Sequence, residues 1–271
     1  MKDARLRVRS LVTALALLLI TSFTVRAQEG DGFLSDLHNF RVNNYMALDA
    51  YYRFSASGDT ETLNEIVASI NAANESMNSV ADSTAGVLSG KQVESLNVEF
   101  DKFKDLMRSN INDVRNTGYP DLRLVSDMAN QALSMNQVAS EMYAVAREST
   151  EIATAQRVEA ARSAAVTMAQ MMAKYSARTH SSSAQTFQGS SNDIPLDEQA
   201  RQFDALLSRI TEGGAQGPLK TALDDLTSKW QFIRNSYINY NDNNVAFVID
   251  RYSKGILRGL ETTIGLLREN A

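Results

Sequence analysis

Five polar side chains stand on or beside otherwise apolar helical stripes: Arg41 and Asn44, Arg162 and Gln170, and Arg234. A guanidinium among apolar neighbours needs an anionic partner, and a carboxylate ligand supplies one through two parallel hydrogen bonds. These five residues are the candidate ligand-binding set, for a small anionic solute. The competing chemistry is internal. Asp or Glu from a neighbouring helix pairs with each Arg equally well, and Asn44 then fixes helix register, as polar core residues do in coiled coils. Catalysis has no comparable set. His38 and His180 are the only histidines, and neither belongs to a Glu-x-x-His pair of the kind that builds metal sites in helical bundles. With no Cys and no Gly-x-Ser-x-Gly elbow, no nucleophile is marked out. Gly213-Gly214 lacks the Gly-Lys-Ser that would make it a phosphate loop. The chain reads as a non-enzyme without metal or cofactor.

The elements that must position these residues are helices throughout. Phe33, Leu37, Phe40, Asn44, Ala47, Tyr51 and Phe54 keep a three–four spacing that ends at Ser57-Gly58. Asp59 or Thr60 then caps a second helix carrying Leu63, Ile66, Ile70, Met77, Val80 and Val87, which Gly90 is expected to end. A third, with Val93, Leu96, Phe100, Phe103 and Met107, ends near Gly118. From Asp121 through Gln188 there is neither Gly nor Pro, and an Ala- and Met-rich stripe predicts one helix from Pro120 to Arg178, with Pro120 in its first turn. At 1.5 Å per residue such a helix is about 88 Å long, more than one small bundle can cover. The Met residues at these spacings read as core packing rather than as a soft-metal site. Residues 179–194, rich in Ser, Gln and Asn, form a flexible loop, and three further helices follow, punctuated by Gly213-Gly214, Gly217-Pro218 and Asn241 to Asn244. The predicted fold is all-α and rod-like: two four-helix up-down bundles in tandem, sharing the long helix over about 120–178 as a spine. Residues 28–148 make the first module and 149–271 the second.

The N-terminus sets the compartment. Lys2, Arg5, Arg7 and Arg9 precede an apolar run from Leu11 to Val25, and Val25-Arg26-Ala27 suits cleavage before Gln28. Residues 1–27 are therefore expected to be a signal peptide and the protein periplasmic, with retention of the segment as an inner-membrane anchor as the alternative. The run is shorter than the ~20 apolar residues of a stable span, and no other segment could cross a bilayer. Removing residues 1–27 takes five basic residues and one acid, leaving 22 basic against 31 acidic, a formal charge of −9. That argues against nucleic acid and anionic membrane surfaces as partners. Folding without disulfides then rests on the hydrophobic core alone.

The two modules repeat one pattern. Val93-x-x-Leu96-x-x-x-Phe100-x-x-Phe103-x-x-x-Met107 matches Leu223-x-x-Leu226-x-x-x-Trp230-x-x-Ile233-x-x-x-Tyr237, and Ala50-Tyr51-Tyr52 lies against Ala173-Lys174-Tyr175. The stretch from Ala160 to Tyr175, then Phe203-x-x-x-Leu207, Pro218, Leu219, Leu223, Leu226 and Trp230-x-x-Ile233, resembles the N-terminal extracytoplasmic sensor domain of type IV pili methyl-accepting chemotaxis transducers (PilJ-type). That family is related to the nitrate/nitrite sensor domains. The resemblance covers about 158–267 best and 33–135 weakly. It implies an extracytoplasmic four-helix bundle that senses a ligand. Gln170, Met172, Ala173 and Lys174 agree with the end of the family's first-helix motif, but its arginines correspond to Ala164, Val166 and Met171 here. Nitrate or nitrite recognition is therefore not carried over.

Two functional readings follow. In the first, an exported, non-catalytic sensor-type protein binds a small solute and relays it to an envelope receptor or pilus-associated protein. In the second, a periplasmic scaffold uses a helical surface for protein–protein contact without a small ligand, with Tyr45, Tyr51, Tyr52, Phe54 and Tyr237 to Tyr240 as interface material. A homodimer is compatible with either.

Overall fold

Glycine and capping side chains cut the chain into its helices. The computed structural model describes residues 31–82, 88–149, 155–180, 194–242 and 245–269. The signal peptide expected at 1–27 and most of the Ser-rich loop lie outside the described residues. These comprise α1 (31–57), α2 (Thr60–Asp82), α3 (Gly90–Thr117), α4 (Leu122–Ser149), α5 (Gln156–His180), α6 (Leu196–Thr211), α7 (Gly217–Ile238) and α8 (Ala246–Glu269), with no strand among them. Gly58 and Gly118, at φ 66° and 84°, take the left-handed conformation that stops α1 and α3. Asp59 caps α2 by accepting from the Thr62 amide at 2.7 Å. Ser89 and Gln92 form a reciprocal capping box at the start of α3. Ser89→Ala should cost about 1 kcal/mol, read as a fall in the denaturant midpoint at unchanged slope.

The single long helix is not formed, and here the structure corrects the sequence reading. α4 ends at Ser149 and α5 starts at Gln156. The Tyr143 hydroxyl donates to the Glu159 carboxylate at 2.9 Å. On one continuous helix those residues would lie about 24 Å apart. The chain therefore reverses, so that the start of α5 meets α4 at Tyr143. Pro120 is also displaced from its expected place. Asp121 accepts from the amides of Arg123 and Leu124 at 2.8 and 3.3 Å, so it is the N-cap of α4 and Pro120 precedes the helix.

The helices surround two apolar cores. One gathers α1 to α4, with Phe40 edge-on to Phe100 at 5.1 Å between centroids. The other gathers α5 to α8, with Phe203 against Trp230 at 4.4 Å. Val93, Leu96, Phe100, Phe103 and Met107 of α3, and their counterparts Leu223, Leu226, Trp230, Ile233 and Tyr237 of α7, are all buried. α5 serves both cores. Val166, Ala169, Ala173 and Ala177 face the first, while Ala161, Ala164, Met168, Met172 and Tyr175 face the second. A helix this apolar on all sides must be enclosed, and its alanines let α1 approach closely.

α1 and α5 run parallel. Residues 31 and 35 meet Arg162, and residue 49 meets Ser176 further along both helices. α8 runs antiparallel to α1, since Arg268 pairs with Asp31 and Asp250 with Arg53. The two halves therefore lie side by side along α1 and α5, not end to end along a shared spine.

Candidate functional site

The seam between the halves holds most of the buried charge. Arg162 is 1% exposed, on a face of α5 that points at α1 and α4. Its Nη2 donates to Asp31 Oδ1 and Ser35 Oγ, both at 2.7 Å. Its Nη1 donates to Tyr143 and to Glu159, both at 3.3 Å. Arg268 reaches the other Asp31 oxygen at 2.5 Å. Burial alone would lower the Arg162 pKa, but Tyr143 and Asp31 together hold it raised. Burial likewise pushes the Tyr143 hydroxyl up to about 12.

Arg41 lies 5.2 Å from the centroid of the Tyr143 ring, a cation–π contact, and its Nε is buried without a hydrogen-bond partner. Asn44 is fully buried, and both its amide atoms lack partners. Arg41 and Arg162 thus share the seam, and Asn44 lies about one turn from Arg41 on α1, whereas Gln170 is half-buried two turns further along α5. Arg234 stands apart. It clamps α7 to α6 through Asp204, with Nε 2.9 Å from both carboxylate oxygens, and is 40% exposed. Its partner is an internal carboxylate on the molecular surface, so it belongs to no shared site with the other four.

Further along the seam a second cluster ties four helices together. Asp49 is buried and accepts from Ser176 Oγ at 2.6 Å and from Arg53 at 3.1 Å. Burial raises its pKa, and Arg53 and Ser176 oppose that rise. Arg53 also pairs with Glu65 of α2 and Asp250 of α8, and Lys254 joins the same two carboxylates at 2.8 and 3.0 Å. At Glu65 burial favours the neutral form, but hydrogen bonds from Lys254 and Arg53 outweigh it and lower the pKa.

Sequence reading missed Asp31, Asp49, Tyr143, Glu159 and the Glu65–Lys254–Asp250 group. Some signal was present: Asp49/Arg53 and Asp250/Lys254 are four apart, and Glu159/Arg162 three apart, spacings that pair on a helix face.

Between these clusters α2 and α8 part above α1 and leave a groove of about 980 Å³. Its floor is α1, where Ser35, His38, Asn39, Val42 and Met46 face it, and its walls are α2 and α8. His38 is 6% exposed, and its Nδ1 is buried without a partner. Burial, then Arg162 and Arg41, lower its pKa to about 3, so it stays uncharged at neutral pH. The groove carries Asp36, Glu65, Glu75 and Glu261 against Arg162, Lys254, Arg258 and Arg268, separated by alanine, serine and aliphatic side chains. This arrangement can hold an elongated, partly charged solute. Among the described residues no group of three or more His, Asp or Glu could hold a metal ion, and no helix is long and apolar enough to cross a membrane. No protein-family model, no curated protein and no solved structure matches this chain.

Proposed function

We propose that this is an exported, non-catalytic, sensor-type protein that binds a small solute in the groove between its two four-helix halves and relays occupancy to an envelope partner. The groove is the observation that carries the reading. Each core is apolar and closed, whereas the groove is roomy, mixed in charge, and floored by a buried His38 with an unmatched nitrogen. It touches α1, α2 and α8, so a bound solute bridges the halves and favours their docked arrangement. The resemblance to chemotaxis transducer domains supports an envelope receptor or pilus-associated protein as the recipient of that signal.

The test is a thermal-shift screen of the chain from Gln28 onward against anions, amino acids, organic acids and amines. Saturation at 100 times Kd adds about 2.7 kcal/mol, or roughly 5–10 °C for a chain of this size. Ala72→Trp, which puts a ring into the groove from α2, should remove the shift while leaving the unliganded melt unchanged. Flat curves for every class would favour the second reading, docking on a protein partner. That reading has its own support in the tilted Phe232–Tyr252 pair, centroids 4.6 Å apart, and in Phe232 and Phe247, which are 62% and 75% exposed.

A further inference from the structure

The charges lining the groove divide into those already spent on protein partners and those left over. Arg162 and Arg268 are held by Asp31, Arg162 also by Glu159, and Lys254 and Glu65 hold each other. Asp36, Glu75, Glu261 and Arg258 take no side-chain hydrogen bond or ion pair among the described residues. Three carboxylates thus face one guanidinium.

Their register follows from the helix pairings. Arg53 meets Glu65 on antiparallel α2, so Glu75, ten residues on, stands level with Asn43 of α1. Asp250 meets Arg53 and Arg268 meets Asp31 on α8, which brings Glu261 level with α1 residues 38 to 42. Asp36, Glu261 and Glu75 therefore follow one another along about 10 Å of the groove, by the helical rise. Val42, Met46, Leu257 and Ile264 supply apolar surface beside them. The carboxylates form no cluster that could hold a metal ion among the described residues, so one compact divalent cation cannot satisfy them. A chain with spaced charges can. On the floor, buried His38 is uncharged and so does not repel a cation.

We propose that the solute is a linear polyamine, its ammonium groups set against Asp36, Glu261 and Glu75 and its methylenes against the aliphatic side chains. This rests on the groove being the binding site. The ammonium–carboxylate contacts give affinity, and the small Ala68, Ser69 and Ala72 of α2 leave room for an unbranched chain. Arg258 is the one competing cation, so its removal should tighten binding.

Calorimetry with spermidine at physiological salt tests this. Saturable binding of one equivalent is expected, with weaker binding of 1,4-diaminobutane, and none of Mg²⁺ at the same site. Glu75→Gln and Glu261→Gln, both on exposed positions, should each weaken spermidine about tenfold, the worth of one hydrogen bond to a charged group. Arg258→Gln should tighten it severalfold, whereas an anionic solute would be weakened by the same change. Spermidine binding that ignores both carboxylate variants overturns the proposal, as diffuse attraction to an acidic protein would give that result. If citrate or glutamate binds instead, and Ala72→Trp removes that binding, the polyamine is wrong and the groove reading stands. If no probe binds, both fall.

Discussion

Arg162→Ala should lower the unfolding midpoint by roughly 10 °C. The side chain is buried and answers Asp31 and Glu159, which are themselves only 17% and 14% exposed. Truncation leaves both largely buried carboxylates without this guanidinium, and it removes the donor that the Ser35 and Tyr143 hydroxyls now accept from. Breaking a buried pair by removing one partner costs about 3–5 kcal/mol, most of it the penalty on the charge left behind. At about 2–4 °C per kcal/mol for a chain of this size, a circular dichroism melt resolves the loss easily. The triple change Arg162→Met with Asp31→Asn and Glu159→Gln should recover much of it, because no buried charge is then left behind: Arg268 and Arg147, which lose these carboxylates, are 42% and 49% exposed. A midpoint unmoved by Arg162→Ala would mean that the cluster decorates the seam without holding it.

Mild acid should destabilise the fold through His38. The folded-state pKa of about 3 lies below the ordinary imidazole value of 6.5, so the unfolded chain binds a proton that the folded one refuses. The stability is complete above pH 6.5 and declines as pH falls toward 3, at about 1.4 kcal/mol per pH unit. By pH 5 the loss is about 2 kcal/mol. Arg41 and Arg162 face the imidazole and oppose its charging in addition to burial. His180, also lowered by burial, adds in the same direction. Glu65, whose pKa is lowered, extends the decline into the carboxylate range, while the raised values at Asp36 and Asp49 work against it there. Urea titrations at pH 7 and pH 5 should show the midpoint fall in the wild type, and a much smaller fall in His38→Gln. Equal falls in the two proteins would place the acid sensitivity elsewhere.

Helices were readable because their cause is local. The three–four spacing of Phe, Leu, Ile and Met, with Gly58, Gly118 and Gly213 to stop it, is written within each segment. The reversal between α4 and α5 was not readable, since no Gly or Pro marks it and the flanking residues are ordinary helix formers. It is held by Tyr143 and Arg147 meeting Glu159, contacts that exist only after the turn is made. Arg162 was legible as a polar residue on an apolar stripe, but Asp31 is 131 residues away, and no spacing rule reaches that far. Arg234 looked equivalent by periodicity, yet its neighbour Asp204 sits at a surface corner. The groove was hidden for a different reason. Its walls are ordinary amphipathic faces, and it arises where α2 and α8 decline to pack together.

The walls of the groove come from segments far apart in sequence: the Glu65–Lys254 pair that closes one end of it joins residues 189 apart. Contacts of such separation form late, after the entropy of closing a long loop has been overcome, and they slow folding accordingly. Among the described helices α8 is made last. During synthesis the first half can therefore collapse around its own core with the α1 floor uncovered, and the groove is complete only when α8 has docked. A chain cut before α8 therefore lacks one wall of the groove altogether.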